Sequence, residues 1–155
     1  MEEVYVSEEL LQESNVDKET YIRNLNRFLE DTIISLLDIS YVEVAKDRLV
    51  MSMPVGKKTA QPYGILHGGA SVVLAETVAS IATNINVDPN TYITVGMEIN
   101  ANHIRSKQDG IVRAIGTPLH KGRTTMVWDI KIVDEEERLI CVSRCTMAVI
   151  KKERA

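Results

Sequence analysis

Cysteine is scarce in this sequence. The 155 residues hold only Cys141 and Cys145. The two lie four apart in a stretch that reads as a strand, where a rise of ~3.3 Å per residue sets their Cα atoms about 13 Å apart, too far to bridge. A disulfide scaffold is therefore excluded, and both are expected to be reduced core thiols. No apolar run approaches the ~18 residues of a membrane-spanning helix. Met1, Glu2 and Glu3 open the chain without a basic or apolar leader, so a cytoplasmic location and no membrane partner are expected. An excess of basic charge is missing too. Eighteen Lys and Arg against 22 Asp and Glu give −4, which denies a nucleic-acid surface its electrostatic footing. No P-loop, dinucleotide fingerprint, internal repeat or low-complexity segment occurs. What is present, 45% hydrophobic and 26% charged residues, suits one globular domain burying roughly 68–70% of its unfolded surface.

Periodicity divides the chain into a helical N-terminal extension, residues 1–35, and a main unit, residues 36–155. Ser7 precedes Glu8, Glu9, Leu10 and Leu11 as the cap of a short peripheral helix. From Thr20, Ile22, Leu25, Leu29, Ile33 and Leu36 recur at steps of three and four, predicting one helix broken near Asp31. Leu49, Met51, Met53 and Val55 alternate as a strand that loses its ladder at Pro54, and residues 57–63 follow as a loop. Residues 68–84 are apolar on nearly every side, so this helix is expected in the middle of the domain. After the turn Asp88–Pro89–Asn90, Ile93, Val95, Met97, Ile99 and Ala101 alternate with polar residues and glycine, which predicts a strand with that apolar set on one buried face. Residues 111–117, 126–132 and 139–150 supply three more strands, the last two joined by an acidic turn over 134–137. Connections this short cannot cross over between parallel strands. The fold class is therefore α+β: an antiparallel sheet wrapped on one central helix.

One residue of that helix is expensive. Glu76 sits in the middle of the apolar run, and an unpaired buried carboxylate costs several kcal/mol unless it is satisfied, neutralised or used. Around the helix, Ser80 lies about 40° and Thr83 about 20° from Glu76, a narrow polar stripe that suits a pocket wall. The helix begins at His67–Gly68–Gly69, where glycines admit a ligand close to the backbone and free N–H groups carry the positive end of the dipole. A polarised carbonyl or oxyanion suits that position. The two features are about 12 Å apart along one helix, so they are either unrelated or combined by a second subunit. Taken singly, each has an ordinary explanation: a salt-bridged glutamate, and a tight turn.

Together they resemble something specific. Gln61–Pro62–Tyr63–Gly64–Ile65–Leu66–His67–Gly68–Gly69–Ala70, followed by Leu74–Ala75–Glu76 and Ser80, is similar to the signature of hotdog-fold acyl-CoA thioesterases. The nearest group within that family hydrolyses phenylacetyl-, benzoyl- or 1,4-dihydroxy-2-naphthoyl-CoA, the last belonging to menaquinone biosynthesis. The resemblance runs from about Leu36 to Ile150. It implies that Glu76 acts as general base for water or as nucleophile, that the Gly68 N–H receives the thioester carbonyl, that His67 and Gln61 support binding and the water, and that Ser80 assists hydrolysis. It further implies that Asn102, His103, Ile104 and Arg105, with Leu119, His120, Lys121, Gly122, Arg123 and Thr124, bind the CoA portion. The basic residues of these blocks, on an acidic chain, suit phosphate. No cofactor is implied beyond the CoA of the substrate. The assembly implied is a homodimer with shared active sites, paired into a homotetramer. His67, His103 and His120 lack the short spacings of zinc ligands, and no metal is expected. Two rival functions share the fold. A dehydratase or hydratase would show a different acid–histidine pattern, and a non-catalytic acyl-CoA sensor would need a basic DNA-binding segment that the acidic residues 1–35 do not provide.

Overall fold

The computed structural model describes residues 3–153. The outermost residues of both units named above, Met1 and Glu2 with Arg154 and Ala155, lie outside the described residues, as does the leader reading at the start of the chain. Tyr5–Val6 (β1), Glu8–Ser14 (α1), Lys18–Leu29 (α2) and Ile33–Leu36 (α3) precede Ser40–Ala45 (β2) and Arg48–Pro54 (β3). The long helix Gly68–Asn84 (α4) follows, then Tyr92–His103 (β4), Ile111–Lys121 (β5), Thr125–Val133 (β6) and Leu139–Lys151 (β7). One seven-stranded sheet has the order β1-β2-β3-β5-β6-β7-β4. Every pairing is antiparallel except that of β1 with β2.

The sheet closes on α4 because its inner face is apolar at every second position. Leu49, Met51 and Met53, Val112 and Ala114, Met126, Trp128, Ile130 and Ile132, and Cys141, Cys145 and Met147 are buried with Leu74, Ala75, Val78, Ala79 and Ala82 of the helix. At Gly116 a Cβ would lie 2.5 Å from Val78 Cγ1, so glycine lets helix and sheet approach. Both cysteines are free and buried. Burial pushes the Cys145 thiol up to about 12, with Glu76 and Glu98 adding to the rise, and raises Cys141.

The helical stretch from Thr20 to Leu36 is two helices. Asp31 takes a left-handed backbone (φ 57°), and Thr32 restarts the chain with a capping box onto Ser35. Asp17 caps α2 by accepting from the Thr20 N–H. Ser7 stands at the N-cap of α1 but makes no capping bond there. Its hydroxyl is buried without a partner among the described residues. Val6, Leu10 and Leu29 bring the extension into the same core as α4.

The face expected for β4 is corrected. Thr94 and Gly96 pair with the inward Val149 and Met147, a bulge follows between Gly96 and Glu98, and Ile99 and Ala101 then pair with the inward Cys145 and Ser143. Ile93 and Val95 therefore lie on the opposite face from Ile99 and Ala101. The extra residue of a bulge shifts the period-2 pattern by one, and an uninterrupted apolar alternation hides that shift. Strand β5 also runs farther than expected. Pro118, Leu119, His120 and Lys121 belong to it rather than to a turn, with a bulge between Pro118 and His120.

Candidate active site

The start of α4 is held by the loop before it. The His67 N–H donates to Thr59 O (2.8 Å), and the Leu66 N–H to Lys107 O (2.7 Å). Gln61 turns back on its own loop, its Oε1 accepting from the Tyr63 N–H (2.9 Å). His67 is the N-cap, with Nδ1 accepting from the Gly69 N–H at 2.8 Å. His103, at the end of β4, stands over the first residue of the helix: a Cβ on Gly68 would lie 2.6 Å from His103 Nε2. A cavity of about 300 Å³ here is lined by Gln61, Gly68, Ser71, His103, Ile104 and Arg105, among others. An amide N–H at a helix N-terminus inside such a cavity suits a carbonyl oxygen.

Two turns down the helix, Glu76 is half-buried rather than buried. No hydrogen bond or ion pair links it to another described residue, so it is not a spent salt-bridge partner. Its carboxylate lies against Gly96 of β4, where a Cβ would collide with Oε1. Glu76, Ser80 and Asn84 line a second cavity of about 330 Å³, whose far wall is Phe28, Ile33 and Ile34. Ser80 Oγ donates to Met147 Sδ at 3.9 Å. Thr83 does not belong to this wall. Ser80 and Thr83 flank Glu76 on opposite sides around the helix; Ser80 falls toward the groove and Thr83 toward the sheet. Thr83 is fully buried, donates to Ala79 O and accepts from Trp128 Nε1 at 2.8 Å.

The basic blocks occupy two places in one chain. His103 and Arg105 line the cavity at the N-terminus of α4. Lys121, Gly122 and Arg123 line another, of about 510 Å³, with Asn86 and Asp88 just beyond the C-terminus of α4. Lys121 is ion-paired with Asp47 and donates to Asn86 Oδ1 (3.2 Å). His120 Nε2 would lie 2.5 Å from a Cβ on Gly122. Asn102, Ile104, Leu119 and Thr124 are exposed, and Thr124 O accepts from the Val149 N–H. The basic residues thus do not form a single cluster within one protomer. Among the described residues no three His, Cys, Asp or Glu side chains group as a metal site, and no helix is long and apolar enough to cross a membrane.

Sequence reasoning missed Gly96 and the Phe28–Ile33–Ile34 wall. A lone glycine inside a strand does signal a bulge or close approach. The wall left no such sign, because it depends on where α2 and α3 dock.

Residues 63–141 match the thioesterase superfamily. The chain belongs to that superfamily. This thioesterase is 49% identical over 126 residues to the 1,4-dihydroxy-2-naphthoyl-CoA hydrolase of Listeria monocytogenes, covering 81% of this chain and 98% of the relative. It is 46% identical over 126 residues to the Escherichia coli protein of the same name, covering 81% and 92%. The crystal structure of a mutant thioesterase from Pseudomonas aeruginosa is similar to it with a TM-score of 0.82 at 43% identity, over 84% of this chain and 94% of that one. The thioesterase has the hotdog fold, and it is a thioester hydrolase, which sets aside the dehydratase and the sensor.

Proposed function

We propose that this thioesterase hydrolyses an aromatic acyl-CoA in the cytoplasm, with 1,4-dihydroxy-2-naphthoyl-CoA of menaquinone biosynthesis the first candidate and benzoyl or phenylacetyl esters next. Two relatives that carry the naphthoyl-CoA hydrolase name, at 46% and 49% identity, support this substrate. In this reading Glu76 activates water or attacks the thioester itself. The Gly68 N–H stabilises the carbonyl oxygen, His67 and Gln61 support substrate and water, and Ser80 assists the hydrolytic half. The two blocks Asn102–Arg105 and Leu119–Thr124 hold the CoA, and no cofactor other than that CoA takes part.

The observation that carries the reading is the division of this machinery. Glu76 and Gly68 are about 12 Å apart along α4 and open into different cavities. A two-fold axis beside two antiparallel copies of α4 brings Glu76 of one protomer opposite His67 and Gly68 of its partner, making two sites at once. Two such dimers make the tetramer.

A thiol-release assay over benzoyl-, phenylacetyl- and 1,4-dihydroxy-2-naphthoyl-CoA tests the substrate class. Glu76→Gln is expected to abolish turnover while acyl-CoA binding persists. If the variant keeps more than about a tenth of kcat, a loss below roughly 1.4 kcal/mol, Glu76 is not the reacting group.

A further inference from the structure

The cavity at Glu76 adjoins a second one beneath α2. It shares the lining residues Phe28, Ile81 and Asn84 with this neighbouring cavity of about 570 Å³, and the two lie end to end as a trough along α4 from Glu76 to Ile85. The helix rises about 13 Å over that distance at 1.5 Å per residue. The outer wall comes from the N-terminal extension. Val16, in the turn before α2, is followed by Tyr21, Leu25 and Phe28, which face Ile85 and Tyr92 across the trough. Their spacing of four and three places them on one face of α2. Among the described residues the only charged lining groups are Glu76 at one end and Lys152 at the other, and the Lys152 ammonium already donates to Pro89 O (2.7 Å). An apolar, uncharged occupant fits between them.

The extension is also where this chain exceeds the Listeria relative. All but 2% of the Listeria protein is matched by 81% of this chain, and β7 runs to Lys151. The surplus fifth therefore lies mainly ahead of the hotdog core.

We infer that the N-terminal extension builds a second acyl subsite, which lets this enzyme take medium-chain or aryl-alkyl acyl groups too long for the Glu76 cavity alone. The inference rests on the reading of Glu76 as the reacting carboxylate. The acyl carbonyl is held near Glu76 while the hydrocarbon runs along α4 under Phe28 and Leu25 toward Tyr21 and Tyr92. Burying its surface there supplies the selectivity for length.

The test compares kcat/KM for decanoyl-CoA and benzoyl-CoA in the full-length enzyme and in Leu25→Trp and Val16→Trp, which fill the far half of the trough. Val16 lies in a partly exposed turn, so its variant stays informative if Leu25→Trp does not fold. Wild type is expected to cleave both esters, and each variant to lower the decanoyl-to-benzoyl ratio at least about tenfold, as filling a pocket should. An unchanged ratio in the folded variants, or a wild type that cleaves benzoyl-CoA and not decanoyl-CoA, overturns the inference by itself. If neither ester is cleaved, the inference falls, and turnover of 1,4-dihydroxy-2-naphthoyl-CoA by wild type against Glu76→Gln shows whether the reading of Glu76 falls with it.

Discussion

Glu76 keeps its carboxylate beside β4 because the residue facing it there is a glycine. Any Cβ at position 96 would meet Oε1. Gly96→Ala is therefore expected to swing the carboxylate out of place, lowering kcat at least about tenfold, or roughly 1.4 kcal/mol, while the far-ultraviolet circular dichroism stays native. A kcat within about twofold of wild type would mean that the position of Glu76 does not depend on this contact. Glu76 itself was legible from sequence, since a single acid in an otherwise apolar helix must be explained by something. His67 and Gly68 were legible for a similar reason, as the start of the same helix. Gly96 was not, because its significance is a contact between elements far apart in the chain. Thr83 was misplaced by treating two residues on either side of Glu76 as equivalent, when only one side of the helix opens to the groove.

At the scale of elements, alternation and the helical period identified α4 and the strands β3 to β7, and the short connections made the sheet antiparallel. The bulge in β4 escaped because the apolar alternation from Ile93 to Ala101 runs through it without a break. The acidic turn between β6 and β7 has a structural task that its charges alone did not reveal. Glu135 accepts from Lys107 Nζ and from the Ile111 N–H, both at 2.6 Å, and so ties this turn to the start of β5. The Lys107 ammonium, followed by backbone N–H groups, holds the Glu135 carboxyl down at about 2, below the ~4.3 of an unfolded glutamate. A depressed folded value means stability that is present above the unfolded value and lost as pH falls toward the folded one. Glu135→Gln is thus expected to lower Tm at pH 7. The gap to wild type should narrow below about pH 4.3 and close near pH 2, as followed by thermal denaturation across that range. A gap of the same size at pH 7 and pH 2 would show that the ionised carboxylate is not what holds the turn.

At the scale of the whole molecule, a single protomer has an edge left over. Strand β4 ends the sheet, and Ile93, Val95 and Met97 on it are 45%, 44% and 63% exposed. An unpaired, apolar edge is a template for another chain, and the proposed sharing of the site between two copies of α4 would use one. The proposal of a second copy starts from sequence, because the helical rise between Gly68 and Glu76 leaves the two features either unrelated or joined by a partner. The exposure of β4 could not be read there, since the strand order places it at the edge only after β7 has folded back beside it. Mixing two inactive variants separates a shared site from a complete one. Glu76→Ala and His67→Ala are each purified inactive, co-refolded so that mixed dimers form, and assayed for thiol release. With shared sites one of the two pockets in every heterodimer is wild type, so a random mixture is expected to recover about a quarter of wild-type activity. Confirmed heterodimers with no recovered activity would place a complete site within each protomer and refute the division of the machinery across the two-fold axis.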